Sequence, residues 1–139
     1  QDCDLTYREL TKDAHYPDHE NILRAFTRFT YNLHENKVNF LDHSPGNTLI
    51  KKFNESYKFY LVDLNRMNFE PMSFEKRIKN FAKLSTCKHM IAVMSDEYAK
   101  CIREDSKEVE NLIWKFTKAF QNSYQSRRIL KKKLKFLKK

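Results

Sequence analysis

The sequence predicts an all-α, single-domain bundle of about five helices, with a long central buried helix and a basic amphipathic C-terminal tail. Three observations predict it. The chain has one Gly and three Pro in 139 residues. That is too few for the turns of a β-sandwich or barrel, or for the clustered glycines of a dinucleotide- or phosphate-binding loop. Apolar residues recur at steps of three, four and seven, the period of a helix with one face buried. Hydrophobic residues make up 40% of the chain, including 11 Phe, 7 Tyr and 1 Trp, which is enough for a core and excludes disorder over most of the length.

Residues 1–17 are polar and read as an irregular N-terminal arm ending at Pro17. Asp18 is the expected N-cap of the first helix, with Glu20 in its first turn. Ile22, Phe26, Phe29, Leu33 and Phe40 carry its apolar stripe, and the turn His43-Ser44-Pro45-Gly46-Asn47 ends it. The central helix is expected over Thr48 to Phe69, where Leu49, Phe53, Tyr57, Tyr60, Leu64 and Met67 form one stripe. Ile50, Phe59, Leu61 and Val62 widen that stripe until most sides are apolar, the signature of a buried helix. Pro71 closes it.

Ser73 caps a third helix that turns Phe74, Ile78, Phe81 and Ala82 inward. A fourth stretch places Cys87, Ile91, Met94, Tyr98 and Cys101 on one face, although Ser95-Asp96-Glu97 offers an equally good start for a fresh helix. If the stretch is continuous, Cys87 and Cys101 stand about 21 Å apart, beyond the roughly 7 Å a disulfide tolerates. Asp105 and Glu108 form a capping-box pattern before a last core helix with Val109, Leu112, Ile113, Phe116 and Phe120. The expected organisation is therefore an arm (1–17), a bundle (18–126) and a tail (127–139).

The charge is concentrated in that tail. The chain holds 27 Lys+Arg against 18 Asp+Glu. Eight of the cations are Arg127, Arg128, Lys131, Lys132, Lys133, Lys135, Lys138 and Lys139, in a segment with no acid, which leaves a body of net charge +1. Leu130, Leu134 and Leu137 share a helical face while the lysines take the rest, and Phe136 adds apolar bulk. This is the pattern of a basic interfacial helix. The partner it selects is an anionic membrane surface; nucleic acid is not expected, because lysine alone offers little with which to read bases.

No apolar run reaches the length of a membrane span. No signal peptide is visible, and a chain that does not begin with Met fits a processed secretory protein or a boundary chosen within a longer one. Cys3, Cys87 and Cys101 set up neither a disulfide framework nor zinc spacing. Asn54-Glu55-Ser56 is a glycosylation sequon, making Asn54 a candidate for sugar if the chain is secreted.

No catalytic motif emerges, no cofactor is implied and no metal site is expected: GxSxG, HExxH and Walker sequences are all absent. His15 and His19 are four apart, but with Pro17 between them they need not share a helix face, and solvent-exposed histidines are the expectation. The expectation is a non-enzymatic protein. The aromatic stripes are core, yet Tyr31, Phe59 and Trp114 exceed what one small core encloses and are expected as an exposed aromatic patch for a partner.

His15-Tyr16, Ile22-Leu23-Arg24-Ala25-Phe26, Val38-Asn39-Phe40-Leu41, the His43 to Gly46 turn, Lys51-Lys52-Phe53 and Tyr57-Lys58-Phe59-Tyr60 follow one another as small landmarks do in the abalone sperm lysin family. Over residues 15–70 the chain resembles that family. Its lysine-rich tail, cysteines and abundant Phe are closer to the family's eighteen-kilodalton fusagenic branch than to lysin itself, which is Arg-rich. The resemblance implies a helical bundle, secretion into the sperm acrosomal vesicle and a role in fertilization. On it rests the expectation of a membrane-perturbing protein of sperm–egg fusion, with a lysin-like stoichiometric binder of an egg-coat glycoprotein as the alternative.

Overall fold

The computed structural model describes residues 5–137 and shows a mixed α/β fold, which corrects the expected all-α helical bundle. The order is β1 (Leu5–Thr6), α1 (Tyr7–Lys12), α2 (His19–Glu35), β2 (Val38–Phe40), β3 (Thr48–Phe53), β4 (Ser56–Leu61), β5 (Met67–Phe69), α3 (Phe74–Lys79), α4 (Lys88–Ile102) and α5 (Ser106–Leu137). Single 3-10 turns lie at Pro45–Asn47 and Leu64–Arg66. The strands form two antiparallel sheets, β1-β3-β4 and β2-β5.

The segment expected as the central buried helix is instead the β3–β4 hairpin followed by β5. Thr48 and Ile50 point inward and their neighbours Leu49 and Lys51 are half-buried, the alternation of a strand. Phe53 pairs with Ser56 across a two-residue loop. That loop is possible without glycine because Asn54 takes the left-handed backbone, at φ 54°. Tyr57 and Phe59 pack on the core, and the Phe59 ring stands 5.7 Å from Phe26 and 5.3 Å from Phe29.

The other departures are local. The first helix stops at Glu35 because Lys37 turns left-handed (φ 61°), so Phe40 belongs to β2 and not to a helix face. Asp18 sits at the start of α2 with φ 64° and makes no cap bond; its carboxylate takes the Tyr57 hydroxyl (2.6 Å) and the Asn21 amide (2.7 Å). The N-terminal arm is structured from Leu5, with Tyr7 and Leu10 fully buried. Ser73 does cap α3, accepting from the Lys76 N–H at 3.3 Å. α4 is continuous with Ser95 buried within it, and Cys87 and Cys101 stand free at its two ends. Asp105 accepts the Glu108 N–H at 3.0 Å, after which α5 runs unbroken across the expected boundary at residue 126.

The core is built by α2, α4 and the first half of α5 around Phe26, Phe81, Tyr98, Ile91 and Ile113. An ion cluster ties α2 to α4 at its edge: Arg24 reaches Asp96 (2.8 Å) and Glu97 (3.0 Å), and Arg28 reaches Glu97 (3.1 Å).

Candidate functional site

The described tail residues lie on the exposed C-terminal half of α5. Val109, Ile113 and Thr117 bury the first part of α5, and every residue from 122 to 137 is exposed. Leu130 is 56% exposed, Leu134 48%, Phe136 80% and Leu137 79%, so about half or more of each apolar side chain is open. Arg127, Arg128, Lys131, Lys132, Lys133 and Lys135 surround them, while Lys138 and Lys139 lie outside the described residues. No helix among the described residues is long and apolar enough to cross a membrane.

The expected aromatic patch does not form. Tyr31, Phe59 and Trp114 are each half-buried and packed against the core, Tyr31 edge-on to Tyr98 at 6.0 Å. The reason is that Phe59, read as surplus on a crowded helix, has a whole sheet face to occupy. Asn54 is exposed at the tip of the hairpin, open to modification. His19 is buried with Nε2 2.8 Å from the Leu10 carbonyl, whereas His15 is exposed, so the pair shares no site.

A second cluster was not anticipated. β2 and β5 pair so that Phe40 lies opposite Met67, and the loop after β2 is thereby laid beside the turn after β4. Asp42 and Asn47 stand in the first, Asp63 in the second. The Asn47 amide nitrogen donates to the Asp42 carbonyl (2.8 Å) and to Ser44 Oγ (3.2 Å), which fixes the loop and leaves Asn47 Oδ1 without a protein partner among the described residues. The Asn47 carbonyl accepts the Val62 N–H at 3.0 Å, so Asp63 follows one residue beyond. Asp63 holds the left-handed backbone (φ 60°, ψ 67°), and its Oδ1 accepts from Asn65 at 2.9 Å. The chain then returns: Leu41 N–H reaches the Arg66 carbonyl (2.9 Å), and Arg66 Nη1 holds Asp42 Oδ1 (3.0 Å), leaving Oδ2 free.

The loop is anchored from below by His43. Its ring is stacked on Phe26 at 5.1 Å and lies edge-on to Phe40 at 5.9 Å. Thr30 Oγ1 donates to the Phe26 carbonyl (3.1 Å) and therefore accepts from His43 Nε2 (3.0 Å), which makes Nε2 the protonated nitrogen. Burial pushes the His43 pKa down to about 3, so the imidazole is a neutral wedge beneath Asp42, with a buried Nδ1 that has no partner.

Asp42 Oδ2 and Asn47 Oδ1, on one loop, and the Asp63 carboxylate, on the neighbouring turn, are hard oxygen donors of the type that Mg²⁺ takes. Among the described residues no set of three or more His, Cys, Asp and Glu could cage a metal by itself. Magnesium is ordinarily held in another way, by one or two carboxylates with the rest supplied by phosphate and water. The signal for the cluster was present as the spacing Asp42-x4-Asn47, with Asp63 after a β-hairpin; reading the hairpin as a helix separated the residues. The chain matches no family model, no curated protein and no solved structure.

Proposed function

We propose that the Asp42–Asn47–Asp63 cluster is the acceptor and cation side of a phosphoryl-transfer centre. The observation that carries it is the Asn47 amide bond to the Asp42 carbonyl, which presents Asp42 Oδ2 and Asn47 Oδ1 from one loop beside Asp63. Kinase-type centres use this spacing: an aspartate accepts the proton of the attacking hydroxyl, an asparagine five residues on and a later aspartate hold the cation. A Mg²⁺ ion, when bound, would neutralise phosphate charge. Asp42 would orient the acceptor hydroxyl and take its proton at Oδ2, while Arg66 keeps Oδ1 engaged.

The test uses the whole chain with Mn²⁺ as a spin probe and ATP. Paramagnetic resonance should show Mn²⁺ retained with ATP by the native chain and released by Asp63→Asn and Asn47→Leu, both at exposed or half-exposed positions. With water as the acceptor the native chain should slowly hydrolyse ATP to ADP and phosphate, and Asp42→Asn should keep the metal and lose that hydrolysis. Equal Mn²⁺ retention by all three variants would overturn the reading.

A second reading is favoured by the bare C-terminal half of α5. Its cations and apolar stripe suit an anionic membrane, to which the chain would bind and whose packing Leu130, Leu134, Phe136 and Leu137 would perturb. The two readings are compatible, since a tail docked on lipid would bring the cluster to substrates at that surface. Sperm–egg fusion, secretion into the acrosome and the egg-coat glycoprotein rest on the lysin resemblance alone. The helical bundle that resemblance implied is not the fold found, and the geometry adds nothing in their favour.

A further inference from the structure

A groove of about 620 Å³ separates α3 from α5 and opens beside the Asp42 loop. Its floor is apolar, from Leu41, Ala82, Phe116 and Phe120, and His43 also lines it. Its rim carries Arg66, Lys76, Lys79 and Lys83. Two of these are already neutralised, Arg66 by Asp42 and Lys76 by Glu70. Lys83 donates to the Leu41 carbonyl (3.2 Å) and lies over the Phe120 ring, 5.5 Å from its centroid. Lys79 is exposed and has no partner among the described residues. The groove thus has an oily floor and two cations without a counter-charge.

The helix wall of this groove is continuous with the tail. Phe116, Phe120, Ser123, Arg127, Leu130, Leu134 and Leu137 follow at steps of four, three, four, three, four and three, which keeps them on one stripe of a straight helix. From Phe120 to Leu137 that stripe runs about 26 Å. A bilayer contacted by the far end of the stripe is therefore met on the same helix face that forms the groove.

We infer that the groove between α3 and α5 binds a single anionic amphiphile, with its phosphate head on Lys79 and Lys83 and its chain on Phe116 and Phe120, drawn from the lipid surface on which the tail rests. The inference builds on the membrane reading and adds a stoichiometric lipid site to it. Charge complementarity selects an anionic head over a neutral one, because the free cations at the rim meet no acid that is not already paired. The apolar floor selects an amphiphile over free phosphate, because a chain removed from water there adds roughly 0.8 kcal/mol per buried methylene. A head seated at Lys83 lies next to the loop of Asp42, since Lys83 already reaches the Leu41 carbonyl.

The test is calorimetric titration of the full chain with dodecyl phosphate below its micelle concentration, against inorganic phosphate and dodecyl maltoside. Saturable binding of one dodecyl phosphate per chain is expected, at least about tenfold tighter than either control. The double variant Lys79→Glu/Lys83→Glu should lose about tenfold or more, and Lys79→Glu alone, at an exposed and partner-free side chain, guards against misfolding of the double variant. Both should still bind anionic vesicles through the unaltered tail. Conversely, Lys131, Lys132 and Lys133 changed together to Gln should weaken vesicle binding and leave dodecyl phosphate binding intact. Dodecyl phosphate bound no better than the maltoside, or no change in Lys79→Glu and the double variant, would overturn the groove site while leaving the tail reading standing.

Discussion

His34 shows how a buried polar side chain is fixed by its partners. Asn80 offers its carbonyl oxygen to Nε2 at 2.8 Å while its own amide donates to the Phe40 carbonyl at 2.9 Å. Nε2 must then carry the proton, and Nδ1 accepts from the Tyr98 hydroxyl at 2.7 Å. Protonating Nδ1 would break that bond in a desolvated site, and the His34 pKa is pushed down to about 4, chiefly by burial. In the unfolded chain the same group binds its proton near pH 6.5. The unfolded state therefore holds more protons between about pH 6.5 and 4, and stability is full above that window and falls as the pH drops through it. His43 acts in the same direction over a window reaching about 3. Urea unfolding of the native chain and of His34→Gln, from pH 7 to 4, should show a flatter acid limb in the variant, by up to about 1.4 kcal/mol per pH unit. Parallel limbs would show that His34 does not titrate with folding. None of this is legible in the sequence, because nothing local to His34 names Asn80 or Tyr98 as its partners.

The ends of the elements explain why the fold class was misread. Scarcity of glycine argued against turns, yet five residues that are not glycine take the left-handed backbone: Asp18, Lys37, Asn54, Asp63 and Arg103. Asp and Asn tolerate it through short polar side chains, whereas Lys and Arg do so at a cost of about 1 kcal/mol or more. Those reversals let β2, the β3–β4 hairpin and β5 form where periodicity alone reads as one long helix, since Leu49, Phe53, Tyr57 and Tyr60 satisfy a helical stripe while Thr48, Ile50, Tyr57 and Phe59 satisfy strand alternation. The helices that were legible are α2, begun at Asp18 though read past Glu35, and α3, α4 and α5, with start signals at Ser73 and Asp105 for α3 and α5. The cluster was lost with the hairpin, because only the pairing of β2 with β5 lays the loop of Asp42 beside the turn of Asp63. Arg103 gives the direct check. It ends α4 at φ 58°, ψ 46° with its N–H on the Ala99 carbonyl, a position where glycine is unstrained. Arg103→Gly should stabilise the chain by about 0.5–1 kcal/mol and raise Tm by a few degrees in calorimetry; a lowered Tm would show that the Arg103 side chain contributes more than its backbone strain costs.

Across the whole molecule, charge and shape are segregated in the same direction. The packed body is near neutral, and the cations collect on a helix that leaves the body after its last buried residue, Thr117, and runs about 30 Å to Leu137. The sequence made this part legible because its signal is local, a run of cations around apolar residues at helical spacing, and no tertiary contact overrides it. A rod carrying Arg127, Arg128, Lys131, Lys132, Lys133 and Lys135 with no acid is drawn to anionic lipid by about 1 kcal/mol per cation near the surface. Lying flat, it also places its exposed leucines at the acyl boundary. Both contributions should be separable. Sedimentation with vesicles should show strong binding to phosphatidylglycerol-containing membranes and little to neutral phosphatidylcholine. Raising salt from about 0.15 to 1 M, which shortens the screening length from about 8 to 3 Å, should release much of the bound chain. Changing Lys131, Lys132 and Lys133 together to Gln should cost about 3 kcal/mol, close to a hundredfold in affinity. Leu134→Ser should weaken binding at every salt concentration, because a buried apolar contact is not screened. Equal binding to neutral and anionic vesicles would overturn the electrostatic half of this account, and an inert Leu134→Ser would show that the apolar stripe does not enter the membrane.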